Sequence, residues 1–335
     1  MNRSMSRSTA VFAGGLVSAL LVVPVVTAAP AHAAAAACTK ATNIEAIIDD
    51  SGSMAGTDPN RLRVQAMDLV INALDSSTNL GAIEFGSSAD VVFAPGPVGA
   101  NAAAMKTALD TLVQADNGGT DYNLAFDTAR AANPAAAARI FLTDGGHNVG
   151  TYNNTHLNPA PQAQTPTYVI GFSTGLSLPE DQARLQQIAT DTGGKYFPLP
   201  DASALQSVMN DIETQLTCQS APKTFTDNMK PGKSKQHTVK ISKKSNSAQL
   251  ALTWSSPLDT FKIQDLKITQ GRNVVAARGV RHLKIKITKG STFIVVKVSR
   301  LVAGKLHFKV KAAKIGSGAP SVTLTTQVSQ SKKSK

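Results

Sequence analysis

Two cysteines in 335 residues, one tryptophan and 5% aromatic side chains leave several protein classes without material. A single pair of thiols supports neither a disulfide-framework miniprotein nor a multi-cysteine zinc or iron–sulfur centre. Negative charge is scarce in one place: residues 219–335 hold three carboxylates, Asp227, Asp259 and Asp265, against 24 Lys+Arg. No apolar run of membrane-spanning length follows the first 33 residues, which predicts no transmembrane anchor. What is present suffices for two ordinary domains, since 42% hydrophobic content is too apolar for a disordered chain.

The formal net charge of +12 averages unlike parts. Residues 1–33 carry Arg3 and Arg7 alone, residues 34–218 hold 8 Lys+Arg and 19 Asp+Glu, a balance of −11, and residues 219–335 have a balance of +21. A swing of that size at one boundary is a domain signal. It divides the chain into residues 1–33, an acidic domain over 38–218, a basic domain over 224–328 and a basic tail over 329–335.

Arg3 and Arg7, the apolar stretch Val11 to Val26 and the small residues of Ala31-His32-Ala33 have the layout of a secretory signal peptide cleaved after Ala33. Pro24 interrupts the apolar run, which is shorter than the ~20 residues of a membrane span. A lipid anchor at Cys38 is disfavoured because Ala35-Ala36-Ala37 lacks the large aliphatic residue of such a site. The expected location is therefore secreted, extracellular or cell-wall associated. In an oxidising setting Cys38 and Cys218 are the only available pair, and a disulfide between them would tie the start of the acidic domain to its end.

Within the acidic domain, apolar runs alternate with helical stripes. Ile44–Asp49, Leu80–Phe85, Arg139–Thr143, Thr167–Gly171 and Lys195–Phe197 read as strands, with helices between them and a last helix over Ala202–Leu216. Repeated strand–helix units predict an α/β fold, a doubly wound and mostly parallel sheet flanked by helices, whose ligands bind beyond the carboxyl ends of the strands. Three such ends carry oxygen donors: Asp49-Asp50-Ser51-Gly52-Ser53, Gly118-Gly119-Thr120-Asp121 and Thr143-Asp144-Gly145-Gly146. Two carboxylates and three hydroxyls form a hard-cation site, Mg²⁺ first, with Mn²⁺ or Ca²⁺ as alternatives. Asp50 and Asp121 read as supporting or capping carboxylates. His147 reads as a rim residue, because imidazole adds little to an oxygen site for a hard ion.

At these residues the chain resembles the von Willebrand factor type A domain family over about residues 40–218. Asp49-x-Ser51-x-Ser53, Thr120 and Asp144 fill, in order, the five positions of that family's metal-ion-dependent adhesion site. The stretch Ile188-Ala189-x-x-Thr192-Gly193-Gly194-Lys195-Tyr196 is similar to the family's late helix–turn–strand. The resemblance implies that Ser51, Ser53 and Thr120 bind the cation directly, that Asp49 and Asp144 often act through water, and that a protein partner's carboxylate completes the coordination. The long polar stretch from His147 to Gln164 departs from the family pattern.

From about Thr224 apolar and polar residues alternate, and turn residues such as Pro231-Gly232, Gly271 and Gly304 separate seven or eight short strands, so an all-β sandwich is expected. Lys284 and Lys286 fall opposite Ile285 and Ile287, and Lys305, Lys309 and Lys311 opposite Leu306, Phe308 and Val310. These lysines are expected to form one cationic surface for an anionic cell-wall or extracellular polysaccharide. Nucleic acid is not expected, because Trp254 and Phe308 take the core parity instead of interleaving with the lysines.

The whole reads as a secreted adhesion or scaffold protein, not an enzyme. A metal-dependent hydrolase is the competing class, but His147, His156, His237, His282 and His307 are scattered and no base or nucleophile partner accompanies the site. A third alternative docks the basic domain on the acidic one as a salt-sensitive binding module. Intact mass spectrometry of the exported protein should give a chain that begins at Ala34 and is two hydrogens lighter than its reduced form.

Overall fold

Side chains of β1 (Asn43–Asp49) alternate between two cores, as a pleated strand requires when both faces of its sheet are covered. Ile44, Ala46 and Ile48 pack with Leu80, Ala82, Ile140 and Leu142 in one cluster, and Ile47 joins Ile83, Phe85, Phe141 and Val169 in the other. The computed structural model describes residues 40–157, 164–172, 179–199, 202–217, 222–277, 283–290 and 292–332. The leader read in residues 1–33, Cys38 and Cys218 lie outside the described residues.

After β1 come α1 (Met54–Thr57), α2 (Leu62–Ala73), β2 (Asn79–Phe85), β3 (Ala89–Pro97), α3 (Val98–Leu112), α4 (Tyr122–Ala132), β4 (Ala138–Thr143), β5 (Thr167–Phe172), α5 (Pro179–Asp191), β6 (Lys195–Leu199) and α6 (Ala202–Thr217). The sheet order is β3-β2-β1-β4-β5-β6, parallel except for β3 at one edge. Residues of α2, α3 and α6 cover one face, and residues of α4 and α5 the other. Because the chain leaves β1 toward β2 on one side and returns to β4 on the other, a crevice opens at the carboxyl ends of β1 and β4. That is where Asp49 and Asp144 stand.

Among the described residues nine antiparallel strands follow: β7 (Lys223–Met229), β8 (Ser234–Ile241), β9 (Ser245–Thr253), β10 (Thr260–Gln270), β11 (Asn273–Ala277), β12 (Lys284–Lys289), β13 (Phe293–Ser299), β14 (Gly304–Lys314) and β15 (Val322–Lys332). They form a four-stranded sheet, β11-β10-β14-β8, and a five-stranded sheet, β12-β13-β9-β15-β7. Phe261, Leu306, Phe308 and Val310 of the first meet Leu250, Leu252, Val296 and Leu324 of the second in a shared core. In β10 the buried parity switches from Phe261 to Ile268, because the register shifts between Gln264 and Lys267 and Asp265 takes a left-handed φ of 53°. Part of the segment read as a tail is strand: Ser329, Gln330 and Ser331 pair with Gln249, Ala248 and Ser247 of β9.

The outward face of the five-stranded sheet packs on the helices. Ala251, Phe293 and Val295 join the core that holds α2 and α6. Around them Asn210 donates to Gln327, Gln249 donates to Glu213, Gln327 donates to Ser207 Oγ at 2.9 Å, and the Lys297 ammonium donates to the Ala73 carbonyl at the end of α2. The contact is apolar and amide-rich and involves the C-terminal half of α2. Gly52 and Ser53 at the opposite end of the sheet stay exposed, so this contact does not cover the metal-site loops.

One carboxylate sits in the middle of the parallel sheet. Glu45 on β1 is fully buried, and its side chain occupies the space above Gly81 of β2, where a Cβ would strike the carboxylate. Desolvation pushes its pKa up to about 8, against smaller lowering influences of Asn133 and Arg139. The folded chain therefore keeps a proton that the unfolded chain releases near 4.5, and stability falls as pH rises from about 4.5 to 8. Replacing Glu45 with Gln should leave the unfolding free energy nearly unchanged at pH 4.5 and raise it relative to the parent at pH 8.5, by up to about a few kcal/mol; parallel urea denaturation curves check this.

Candidate metal centre

Asp49 ends β1 completely buried, and the chain turns back on it. Asp49 Oδ1 accepts from Ser51 N at 2.9 Å and Ser51 Oγ at 2.5 Å, while Oδ2 accepts from Thr143 Oγ1 at 2.6 Å. Ser51 Oγ lies 3.1 Å from Ser53 Oγ, which donates to Asp144 Oδ1 at 3.0 Å. Thr57 of α1 donates to the other oxygen of Asp144. Four of the five sequence-predicted residues are thus joined in one hydrogen-bonded chain across the ends of β1 and β4.

Thr120 arrives on the second loop. Gly52 N donates to Gly118 O at 2.9 Å, which seats that loop against the first. Thr120 is buried; its N–H donates to Asn148 Oδ1 at 2.7 Å and its carbonyl accepts from Asn148 N at 3.0 Å, tying the second loop to the third. Its hydroxyl is left for a ligand or solvent. Asp121 caps α4, accepting from Leu124 N at 3.1 Å, as its sequence position implies.

The donor set fits a hard divalent cation. Asp49 and Asp144 are both fully buried and their partners are hydroxyls and an amide, with no ion pair to either among the described residues. Burial, and next the Asp144 charge, raise Asp49 to about 6. Two neighbouring buried carboxylates facing hydroxyls have no positive partner among the described residues, a charge that a divalent cation would supply.

Several supports escaped the sequence reading. Arg63, on the inward face of α2, is 1% exposed and divides its guanidinium between Asp50 Oδ1 at 3.2 Å and Asp58 Oδ2 at 3.0 Å. Asp50 Oδ1 also accepts from Ala115 N at 2.6 Å, and Asp58 accepts from the amides of Leu62 and Arg63. Arg63 beside Val64, Ala66 and Met67 is the signal that could have revealed this: a cation on an apolar helix stripe needs a buried anion. Tyr122, fully buried, touches Thr143 Oγ1 at 3.2 Å and donates to Gly145 O.

Two expectations need correction. His147 does not point out from the rim: its side chain is 2% exposed, its ring lies tilted against Tyr122 and edge-on to Tyr152, and its Nδ1 accepts from Tyr122 N at 3.0 Å. Nor do the lysines form one surface. Lys284 and Lys286 lie on β12, on the sheet that packs against α2 and α6, whereas Lys305, Lys309 and Lys311 lie on β14, on the sheet facing away. Strand parity places a side chain in or out of its own sheet and carries no information on which sheet that is.

A doubly wound sheet with Asp-x-Ser-x-Ser, Thr and Asp converging at the carboxyl ends of its strands defines the class of metal-site α/β modules. A model of the von Willebrand factor type A domain matches residues 43–211, just over half of the chain, and the protein belongs to that family. A UPF0353 protein of Mycolicibacterium gilvum is 27% identical over 202 residues, 51% of this chain and 59% of its own, and Escherichia coli YfbK is 25% identical over 181 residues, 52% of this chain and 31% of its own. The chain thus spans less than two thirds of either relative. Solved structures to which the chain is similar include a von Willebrand factor type A protein from Catenulispora acidiphila (15% identity, TM-score 0.43, 88% of this chain and 63% of that one). Another is proximal thread matrix protein 1 of the mussel byssus, whose adhesion-site motif is zinc-occupied (16% identity, TM-score 0.44, 58% and 51%). Domains of this family generally serve protein interaction or adhesion, some of them through the metal site.

Replacing Arg63 with Leu strands two buried carboxylates. Chemical denaturation should register a loss of about 3–5 kcal/mol, and the first loop, no longer pinned through Asp50, should bind divalent cations more weakly in calorimetry.

Proposed function

We propose that this is a secreted, non-catalytic adhesion protein whose parallel-sheet half binds a protein partner through a divalent cation, Mg²⁺ in the first instance with Mn²⁺ or Ca²⁺ as alternatives. The observation that carries the reading is the buried Asp49–Ser51–Ser53–Asp144 chain of hydrogen bonds, which brings hard oxygen donors to a crevice whose mouth, at Gly52 and Ser53, is exposed. Ser51, Ser53 and Thr120 would hold the ion directly, and Asp49 and Asp144 would balance its charge. With only two anionic ligands the ion retains net positive character, so an acidic side chain of the partner is its natural further ligand.

The basic half supports a second role in this reading. Lys305, Lys309 and Lys311 share their outward face with Lys240 and Lys262, and a flat row of ammonium groups attracts anionic wall or extracellular polymer at low ionic strength. A Cys38–Cys218 disulfide belongs to the same proposal. Ala41 N donates to Leu216 O at 2.8 Å, so the chain just after one cysteine meets the chain just before the other. In the chain-entropy model such a bond contributes on the order of 4–5 kcal/mol.

The non-catalytic reading is supported by His147, whose ring is turned into the aromatic cluster. Titration calorimetry with MgCl₂ and MnCl₂ tests the metal reading. The parent should bind one ion, and Asp49→Ala and Thr120→Ala, checked for folding by circular dichroism, should bind it at least an order of magnitude more weakly. Unchanged binding in both variants would show that the cation sits elsewhere.

A further inference from the structure

Two separate surfaces within residues 40–332 carry opposite charge and complementary chemistry. Around the metal residues Glu84, Asp90, Asp116, Asp121 and Asp181 add to Asp49 and Asp144. Asp90 and Asp116 are exposed, and with Asp50 they raise Glu84 to about 7, after desolvation as the larger cause. Asp181 at the start of α5 lies where a side chain on Gly146 would stand, beside the third loop. Arg63 offers this rim nothing, being consumed between Asp50 and Asp58. An acidic ligand approaching alone would be repelled over most of its path. The partner that fits is one carboxylate set in a field of positive charge.

The protein displays such a surface itself. On the outward face of the four-stranded sheet, register places Lys240 beside Lys305, Lys262 beside Lys311, and Lys267 beside His307. Of the three carboxylates in this half, Asp259 is buried and accepts from Ser317 N at 3.0 Å, and Asp227 is 11% exposed and paired with His237 at 2.7 Å. Asp265 alone is open, with its side chain 64% exposed. It stands on the β10 bulge with φ 53°, and its one partner is Lys309 at 3.2 Å, a surface ion pair of small worth that can be exchanged. A bulge that re-aims one side chain out of the ladder is a recurrent device next to binding sites.

We propose that the partner is a second copy of this chain: Asp265 of one copy completes the cation site at Asp49, Ser51, Ser53, Thr120 and Asp144 of the next, while the surrounding lysines neutralise that copy's acidic rim. The inference rests on the metal-mediated reading of those five residues. Contact within one chain is excluded by the packing already described, because the five-stranded sheet lies between the lysine face and α2 and α6. The interface is heterologous: an associated pair keeps one free metal site on one copy and one free lysine face on the other, so association extends into open chains instead of closing as a two-fold dimer.

Sedimentation velocity on the purified protein at low salt decides the matter. With Mg²⁺ the parent should form concentration-dependent oligomers that revert to monomer in EDTA. Asp265→Asn, which keeps the bulge because Asn tolerates a positive φ, should weaken association on the order of thirtyfold or more while still binding Mg²⁺ in calorimetry. Asp49→Ala should abolish both. A mixture of the two variants retains one intact surface on each and should give dimers that grow no further. A parent that stays monomeric with Mg²⁺ bound overturns self-association and leaves the metal reading intact, and absence of Mg²⁺ binding overturns both. Oligomers that survive EDTA and Asp265→Asn but dissolve in polyphosphate would mean that the lysine face binds polyanions only, and the proposal fails.

Discussion

Two adjacent carboxylates, Asp49 and Asp50, are buried at the end of the central strand, and the arrangement of the surrounding loops follows from how their charge is compensated. Asp50 turns toward α2 and is neutralised by Arg63, which Asp58 shares, so the first loop is fastened to the start of a helix. Asp49 turns the other way, toward β4, and meets two hydroxyls and the Ser51 amide. Asp50 has a guanidinium as counter-charge within the fold, while Asp49, with hydroxyl and amide partners and Asp144 for a neighbour, has none among the described residues.

That constraint explains why the loops hold together through side chains that do not belong to the metal motif. Thr143 locks one oxygen of Asp49, Thr57 engages Asp144, and Tyr122 spans Thr143 and Gly145 from below. Such groups fix the donors in one arrangement, so a cation bound there would cost little free energy of ordering.

Net charge in the two halves does not drive their contact. The sheet that meets α2 and α6 does so with Ala251, Phe293, Val295 and a set of amides, and its single ammonium, Lys297, is satisfied by a helix carbonyl. Burial lowers the pKa of Lys297, with Glu213 opposing. The strongly basic face is turned outward and the acidic rim lies at the carboxyl ends of the parallel strands, so each remains available to another molecule.

The sequence by itself determined the alternation of strands and helices, the Asp-x-Ser-x-Ser, Thr and Asp positions read as a metal site, and the opposed charges of the two halves. Those are local properties: apolar runs, turn residues, Asp-x-Ser-x-Ser spacing and counts of ionisable groups. It also carried the parity switch in β10 between Phe261 and Ile268, whose cause, a bulge at Asp265, appears only when β14 is laid beside it. Tertiary structure decided the rest because those features depend on pairings between distant residues. It set Arg63 between Asp50 and Asp58, turned His147 inward, sent two groups of lysines to different sheets, and made Asp265 the open carboxylate of three by burying Asp259 and pairing Asp227. Periodicity reports which side of its own strand a residue takes; only the packing of sheets and helices determines what stands on that side.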